Sequence, residues 1–233
     1  MASKAPPTPP VLVPLLLLLS ATTGLVDAIS VLGLGRVFTA NMTGNVVFLG
    51  FAAVGTPGYR VPLYIVAIVF FMIGALIAGW TGTAQKGKPL RRWLITASVV
   101  EAILLWASAA IATGYDYKTL SPEPQLYAII ALTAVAMGFR NGTIRQLKIP
   151  DLTTTVLTLT ITGLAADSSL TGGDNPNWGR RIGSVIAILL GAAVGAWLVL
   201  AYGLMPPLVI TGLLIFGGTI AYAMHPSLAR PAA

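Results

Sequence analysis

Two acidic residues and two small clusters of asparagine and threonine stand in otherwise apolar surroundings, and these are the residues whose chemistry has to be explained. Asp27 lies well inside the apolar stretch that begins at Val11, and Glu101 lies eight residues into the stretch that begins at Trp93. In hydrocarbon a carboxylate is costly unless it faces a partner, a water-filled cavity or the interface, so both are candidates for carrying charge or relaying a proton. Each has a plainer alternative. Asp27 could reach the far headgroups or cap the next element, and Glu101 could be a protonated hydrogen-bond donor to a neighbouring helix.

The polar clusters are Asn41, Thr43 and Asn45 in the first half of the chain and Asp151, Thr153 and Thr155 in the second. Each opens a segment of borderline spanning length, Phe38 to Val54 and Asp151 to Ala166. Small polar side chains at the end of a short helix add to the backbone dipole and present it to a solute or ion. Asparagine and aspartate are also ordinary helix caps, and threonine is common in membrane helices. Arg140, next to Asn141, reads as a topology determinant or headgroup contact rather than an internal anion site.

Enzyme chemistry has little to build on. The 233 residues contain no cysteine and one histidine, His225, at the tail. That leaves no thiolate nucleophile, no thiolate or His-cluster metal site and no Ser-His pairing for Ser30, Ser98, Ser108 or Ser184. Gly33-Leu34-Gly35 lacks the strand and the Lys-Ser/Thr ending of a phosphate loop. The expectation is a protein that is not an enzyme and needs no cofactor or metal.

The elements that must position these residues are membrane helices. Hydrophobic residues make up 56% of the chain and charged ones 9%, too few to clothe a soluble domain. The apolar residues fall in blocks, Val11 to Leu32, Val61 to Trp80, Trp93 to Thr113, Leu126 to Phe139, Ile182 to Tyr202 and Leu208 to Met224. Several reach the roughly 20 residues that cross about 30 Å of hydrocarbon as a helix. The first block is too long for a signal peptide, and the blocks lack the alternation of a barrel strand. The formal charge of +7 sits between blocks and not in a stripe, which argues against a nucleic-acid surface. Residues 1–10 read as a Pro-rich tail, 11–224 as one transmembrane domain, and 225–233 as a C-terminal tail.

The chain carries an internal duplication. Gly24-Leu25-Val26-Asp27-Ala28 resembles Gly138-Phe139-Arg140-Asn141-Gly142; Asn41-Met42-Thr43 falls against Asp151-Leu152-Thr153; and the Gly74 to Trp80 stretch falls against Gly191 to Trp197. Three matches in one order, separated by 110 to 117 residues, divide the domain into repeats of about 11–113 and 125–224. If Phe38 to Val54 and Asp151 to Ala166 are both re-entrant, Lys4, Lys86, Lys88, Arg91, Arg92, Arg140, Arg145, Lys148, Arg180, Arg181 and Arg230 share one side. Only Arg36, Arg60 and Lys118 lie on the other, an eleven to three split that puts both termini in the cytoplasm. The expected fold is therefore an all-α polytopic transmembrane helical bundle of two inverted repeats, each with three spans plus a short or re-entrant helix. Eight full spans in two parallel repeats are the alternative. Gly74, Gly79, Gly191 and Gly195 are expected at close helix contacts, and Trp80, Trp93, Trp178 and Trp197 in an interfacial belt.

Val26 to Gly50, VDAISVLGLGRVFTANMTGNVVFLG, resembles the signature of the YoaK-like family of bacterial multi-spanning membrane proteins of unknown function, formerly a domain-of-unknown-function family. Asp27, Asn41, Thr43, Gly44 and Asn45 match the family motif. The resemblance implies a multi-pass protein of the bacterial inner membrane and supplies no substrate. The functional expectation that follows from the residues is a small transporter or channel-like permease for a small solute or ion, with its site at the repeat interface. The alternative is a non-transporting structural or accessory membrane protein with a dry, packed centre. The bilayer is the expected partner, nucleic acid is not, and a homo-oligomer is left open by the glycine-rich faces.

Overall fold

The computed structural model describes residues 12–147 and 157–229. Among the described residues six helices are long and apolar enough to cross a membrane: α1 (Leu12–Gly33), α3 (Val61–Gln85), α4 (Leu90–Ile111), α5 (Glu123–Leu147), α7 (Trp178–Tyr202) and α8 (Met205–Ala223). Two shorter apolar helices, α2 (Met42–Ala53) and α6 (Leu157–Ala166), interrupt the series. At 1.5 Å per residue they reach only about 18 and 15 Å, well short of the roughly 30 Å of a hydrocarbon core.

Prolines at the first turns of α3 and α8 fit positions that need no amide donor. The far end of α1 closes on Gly35 in the left-handed region, with the Arg36 amide donating back to the Val31 carbonyl at 3.3 Å. Helix α5 runs beyond the apolar block read from sequence, because Arg140 and Thr143 are buried within it.

Contacts fix the direction of each helix. The Tyr115 hydroxyl donates to the Gly33 carbonyl at 3.1 Å, Gly35 lies against Leu63 and Leu120, and Arg60 pairs with Glu123. The end of α1, the start of α3, the end of α4 and the start of α5 therefore share one face, here the far face. The chain between α1 and α3, with α2 in it, leaves and returns on that face. At the other end Gln85 donates to Thr96 at 3.4 Å and Gln146 to the Ala78 carbonyl at 2.8 Å. Together with the starts of α1 and α7 and the end of α8, these residues define the terminal face. Six helices of spanning length result among the described residues, and α2 is too short to be a further full span; the start of the Asp151 to Ala166 segment lies outside the described residues.

Helices α1 and α5 are the most enclosed. Helix α1 packs along α7, and α3 along α5, each pair parallel; α4 and α8 pack antiparallel, and both touch the central pair, α4 on α5 and α8 on α1. Short α2 rests on α3, and short α6 on α7. The crossings are made by glycine. A Cβ at Gly24 would overlap the Ile188 carbonyl and one at Gly191 the Ala21 carbonyl; at Gly74 and Gly138 it would overlap the Val135 and Phe71 carbonyls. Gly195 meets Leu25 and Ala28. Gly79, expected at such a contact, has open space beyond it, and Ala78 is the buried residue at that turn. Outward faces of α3 and α7 expose Ile65, Met72, Leu76, Leu189, Leu190 and Leu200, as helices against lipid do. Trp80, Trp178 and Trp197 are exposed, whereas Trp93 is buried and does not join a belt.

Candidate functional site

The centre of the bundle holds a buried ion pair. Glu101 lies 11 residues into α4, about 16 Å along its axis from the terminal face, and Arg140 lies 7 residues from the end of α5, about 10 Å from the same face. The Arg140 Nε donates to Glu101 Oε2 at 2.7 Å. Its Nη1 donates to the Leu19 carbonyl at 3.3 Å and to the hydroxyls of Thr22 and Thr23 at 3.1 and 3.2 Å. Arg140 and Glu101 are 1% and 4% exposed, so the pair is out of contact with lipid and bulk water alike. Desolvating two charges is repaid only by tight geometry and further hydrogen bonds, and the threonines of α1 supply them. Arg140 is thus no topology determinant; it ties α1, α4 and α5 together.

One part of this centre is unsatisfied. Arg140 Nη2 and Thr143 Oγ1 are buried with no hydrogen-bond partner in the protein. Both residues line a cavity of about 30 Å³ with Glu101, Ser98 and Thr219, walled by Leu12, Leu15, Leu16 and Leu147. A water needs roughly 10–15 Å³ and two or more polar partners, so the cavity suits about two waters. Leu12 begins α1 and Leu147 ends α5, so the cavity extends from the ion pair toward the terminal face.

A polar file runs the other way. Ser20, Thr23, Asp27 and Ser30 recur at spacings of three and four along α1, which puts them on one face of that helix. Ser20 meets Ser184 of α7 at 3.3 Å, and Ser30 donates to the Asp27 carbonyl at 3.1 Å. Asp27 is half-buried, and its Oδ1 is enclosed without a partner. It sits 6 residues from the end of α1, about 9 Å from the far face. Asn141, the residue matched to Asp27 in the duplication, has its amide engaged with the Met137 carbonyl at 2.8 Å.

The polar residues at the start of α2 divide by role. Asn45 is fully buried, with its Oδ1 accepting the Phe38 amide at 2.9 Å and its Nδ2 donating to the Phe38 carbonyl at 2.5 Å. Both ends of its side chain are consumed in folding the 38–45 turn, so it positions the turn and has no group left for a solute. Asn41 is the residue before α2, makes no side-chain cap and is exposed, as is Thr43. Asp151, Thr153 and Thr155 lie outside the described residues. Within the described residues the site candidates therefore separate into the Glu101–Arg140 centre with Asp27 beyond it and the α2 turn at the far face.

Sequence reasoning missed Thr22, Thr23, Thr143 and the pairing of Arg140 with Glu101. A usable signal was present, because a midplane glutamate needs a cation and the helix pattern around Arg140 continues to Leu147. Among the described residues no group of three or more metal-ligating side chains is assembled.

Comparison with known sequences decides the relationship. The family model described as "Protein of unknown function (DUF1275)" matches residues 15–221, from the first turn of α1 to the last of α8. The chain belongs to the DUF1275 family. A curated relative, the UPF0700 transmembrane protein YoaK of Bacillus subtilis (strain 168), is 35% identical over 159 residues. That match covers 66% of this chain and 66% of YoaK, so it spans just under two thirds of the relative's length. No solved structure matches the chain. Membership in the DUF1275 family agrees with the resemblance carried by Asp27 and the Asn41 to Asn45 motif, and with a multi-pass membrane protein.

Proposed function

We propose that this chain is a small permease of the bacterial plasma membrane, built from two inverted repeats, that moves a small solute or ion along the α1 polar file and past the Glu101–Arg140 centre. The observation that carries the reading is the fully buried pair of Arg140 and Glu101 beside a cavity lined by unsatisfied polar groups. Intramembrane charge is expensive and is found chiefly along ion and substrate paths. Purely structural centres of membrane bundles use small residues and neutral hydrogen bonds, as the Gly24 and Gly74 crossings of this same chain do.

Repetition is supported by the packing. Replacing α1, α2, α3 and α4 by α5, α6, α7 and α8 turns every major helix contact into another one: α3 on α5 becomes α7 on α1, α4 on α5 becomes α8 on α1, and α2 on α3 becomes α6 on α7. The same exchange carries Gly24 to Gly138 and Gly74 to Gly191, all four at backbone contacts. Because α1 runs from the terminal face and α5 toward it, the repeats have opposite topology. Seven described basic residues, Lys86, Lys88, Arg91, Arg92, Arg145, Arg180 and Arg181, lie toward the terminal face, and Arg36, Arg60 and Lys118 toward the far face. This bias supports a cytoplasmic terminal face. Asp27 and Glu101 are then the charge-relaying residues, and the turn held by Asn45 is the hinge of a gate carrying Asn41 and Thr43.

A second reading, a non-transporting accessory protein, is favoured by the size of the cavity, which admits water and no larger solute. Single cysteines in this cysteine-free chain separate the two. Cysteine at Thr143 or Ser98 is expected to react with a membrane-impermeant thiol reagent from the cytoplasmic side alone, and at Ser30 from outside alone. Inert cysteines at all three positions, in both inverted and right-side-out vesicles, would leave the accessory reading standing.

A further inference from the structure

The far face carries three of the described basic residues, where the proposed orientation gives cations no topological role. Arg60 is engaged by Glu123. The other two, Arg36 and Lys118, have no carboxylate partner among the described residues, and both line the same open pocket of about 480 Å³. Its remaining walls are apolar and aromatic, formed by Val31 and Leu32 of α1, Phe38, Phe48 of α2, Tyr117 and Leu120. It is an open groove, with room for a small organic molecule to lie against its walls.

The backbone around the pocket is built at a conformational cost. Four described non-glycine residues have positive φ, and the two that are not asparagine, Arg36 at 63° and Leu120 at 56°, both line it. A bulky side chain in the left-handed region is strained, and such residues gather where a ligand is clamped. Both cations are held over aromatic rings, Arg36 at 5.6 Å from the Tyr59 centroid and Lys118 at 6.0 Å from that of Tyr117. The carboxylate beside Lys118 is engaged within its own loop and also feels the Lys118 charge. Asp116 accepts the Lys118 amide at 2.9 Å and the Thr119 hydroxyl at 2.8 Å, closing its own loop without a direct ion pair to the Lys118 ammonium.

From this we infer that the pocket between the end of α1, the 36–48 turn and the 117–120 loop binds an amphiphilic anion, a carboxylate or phosphate joined to an apolar body, with Arg36 and Lys118 on the charge and Phe38, Phe48 and Leu120 on the body. As the substrate class of the permease, this assignment rests on the function proposed above. The pocket lies at the same end of α1 as Ser30, on the faces that carry Val31 and Leu32.

Isothermal titration calorimetry on the full chain in phosphatidylcholine nanodiscs tests the site without any flux measurement. Phenylbutyrate is expected to bind saturably and its neutral amide not at all. Arg36→Gln and Lys118→Gln should each weaken binding by roughly tenfold, the loss of one charge-assisted contact, and Arg36→Lys and Lys118→Arg should restore most of it. Phosphatidylglycerol in the nanodiscs separates two sources of the anion. Competition with phenylbutyrate assigns the pocket to a lipid headgroup and withdraws the substrate clause, whereas no competition assigns it to a soluble anion. Equal binding of the amide, or unchanged affinity in the two glutamine variants with their fold intact, overturns the inference. Binding that persists while the cysteines at Thr143, Ser98 and Ser30 stay inert keeps the pocket and removes the permease.

Discussion

The two glycine crossings and the ion-pair centre are solutions to opposite problems within one bundle. At α1 against α7 and α3 against α5, Gly24, Gly191, Gly74 and Gly138 bring backbones into contact, and each crossing has a counterpart in the other half. At the centre Arg140 has no such counterpart. The residue matched to it in the first half is Val26, and those matched to Thr22 and Thr23 are Ala136 and Met137. Under the proposed repeat, the glycine crossings have matched counterparts and the charge does not. A symmetric bundle needs only shape at its crossings, where dispersion and close approach hold helices together. The centre instead needs a partner for each charge, which Glu101, Thr22 and Thr23 supply to Arg140.

The comparison breaks most severely at the centre. Arg140→Leu leaves Glu101 buried and unpaired, and the expected cost is about 3–5 kcal/mol, read as loss of folded protein in detergent unfolding titrations. Adding Glu101→Leu to it should recover most of that loss, since an apolar pair of similar size is often neutral. If the double variant folds well yet fails in whatever flux assay the wild type passes, the pair serves function; if it retains flux, the pair is structural.

At the crossings the effect should be smaller and should occur in matched pairs. Gly24→Ala and Gly138→Ala each push a methyl into a backbone carbonyl, and overpacking of this kind costs about 1–3 kcal/mol. Unequal losses, with one position tolerant, would undo the symmetry. Gly79→Ala is the control, because open space there makes it neutral or stabilising by about 0.5–1 kcal/mol through helix propensity. Between these lies Asn45→Leu, which strips the Phe38 backbone of both partners at a cost of about 1–3 kcal/mol and should raise proteolytic cleavage around the α2 turn.

The smallest effect concerns pH. The Lys118 amide and Thr119 hydroxyl hold the Asp116 carboxyl below its ordinary value of 3.8. A depressed carboxylate contributes to loop order above the unfolded value and loses it only as pH falls through the lower folded one. Anion binding at Arg36 and Lys118 is therefore expected to be unchanged by Asp116 down to the ordinary aspartate range, and Asp116→Asn should change it only slightly at neutral pH, since a looser loop and the loss of a negative charge near Lys118 act in opposite directions. Titration calorimetry across that range checks both.

Legibility in the sequence followed the length scale of the physics. Hydropathy over some twenty residues separates the six long apolar helices, and Gly74, Gly191 and Gly195 mark the close crossings, because lipid and backbone contact act on composition and spacing. The shortness of Phe38 to Val54 and its return to the same face were also foreseeable, from length and the distribution of basic residues. Gly79 was misread because glycine spacing does not say which turn faces a neighbour; the neighbour does, and it selects Ala78. Asn45 looked like a ligand-binding residue, and only the fold reveals that the Phe38 main chain takes both ends of its amide.

What the sequence determined alone was the solvent each segment lives in, since transfer free energy is summed residue by residue. What only the tertiary structure decided was which charges are paired. Glu101 and Arg140 are 39 residues apart on different helices, and their partnership depends on α4 and α5 being packed so that the arginine side chain reaches the carboxylate beside Thr22 and Thr23, a relation carried by no local pattern in the chain.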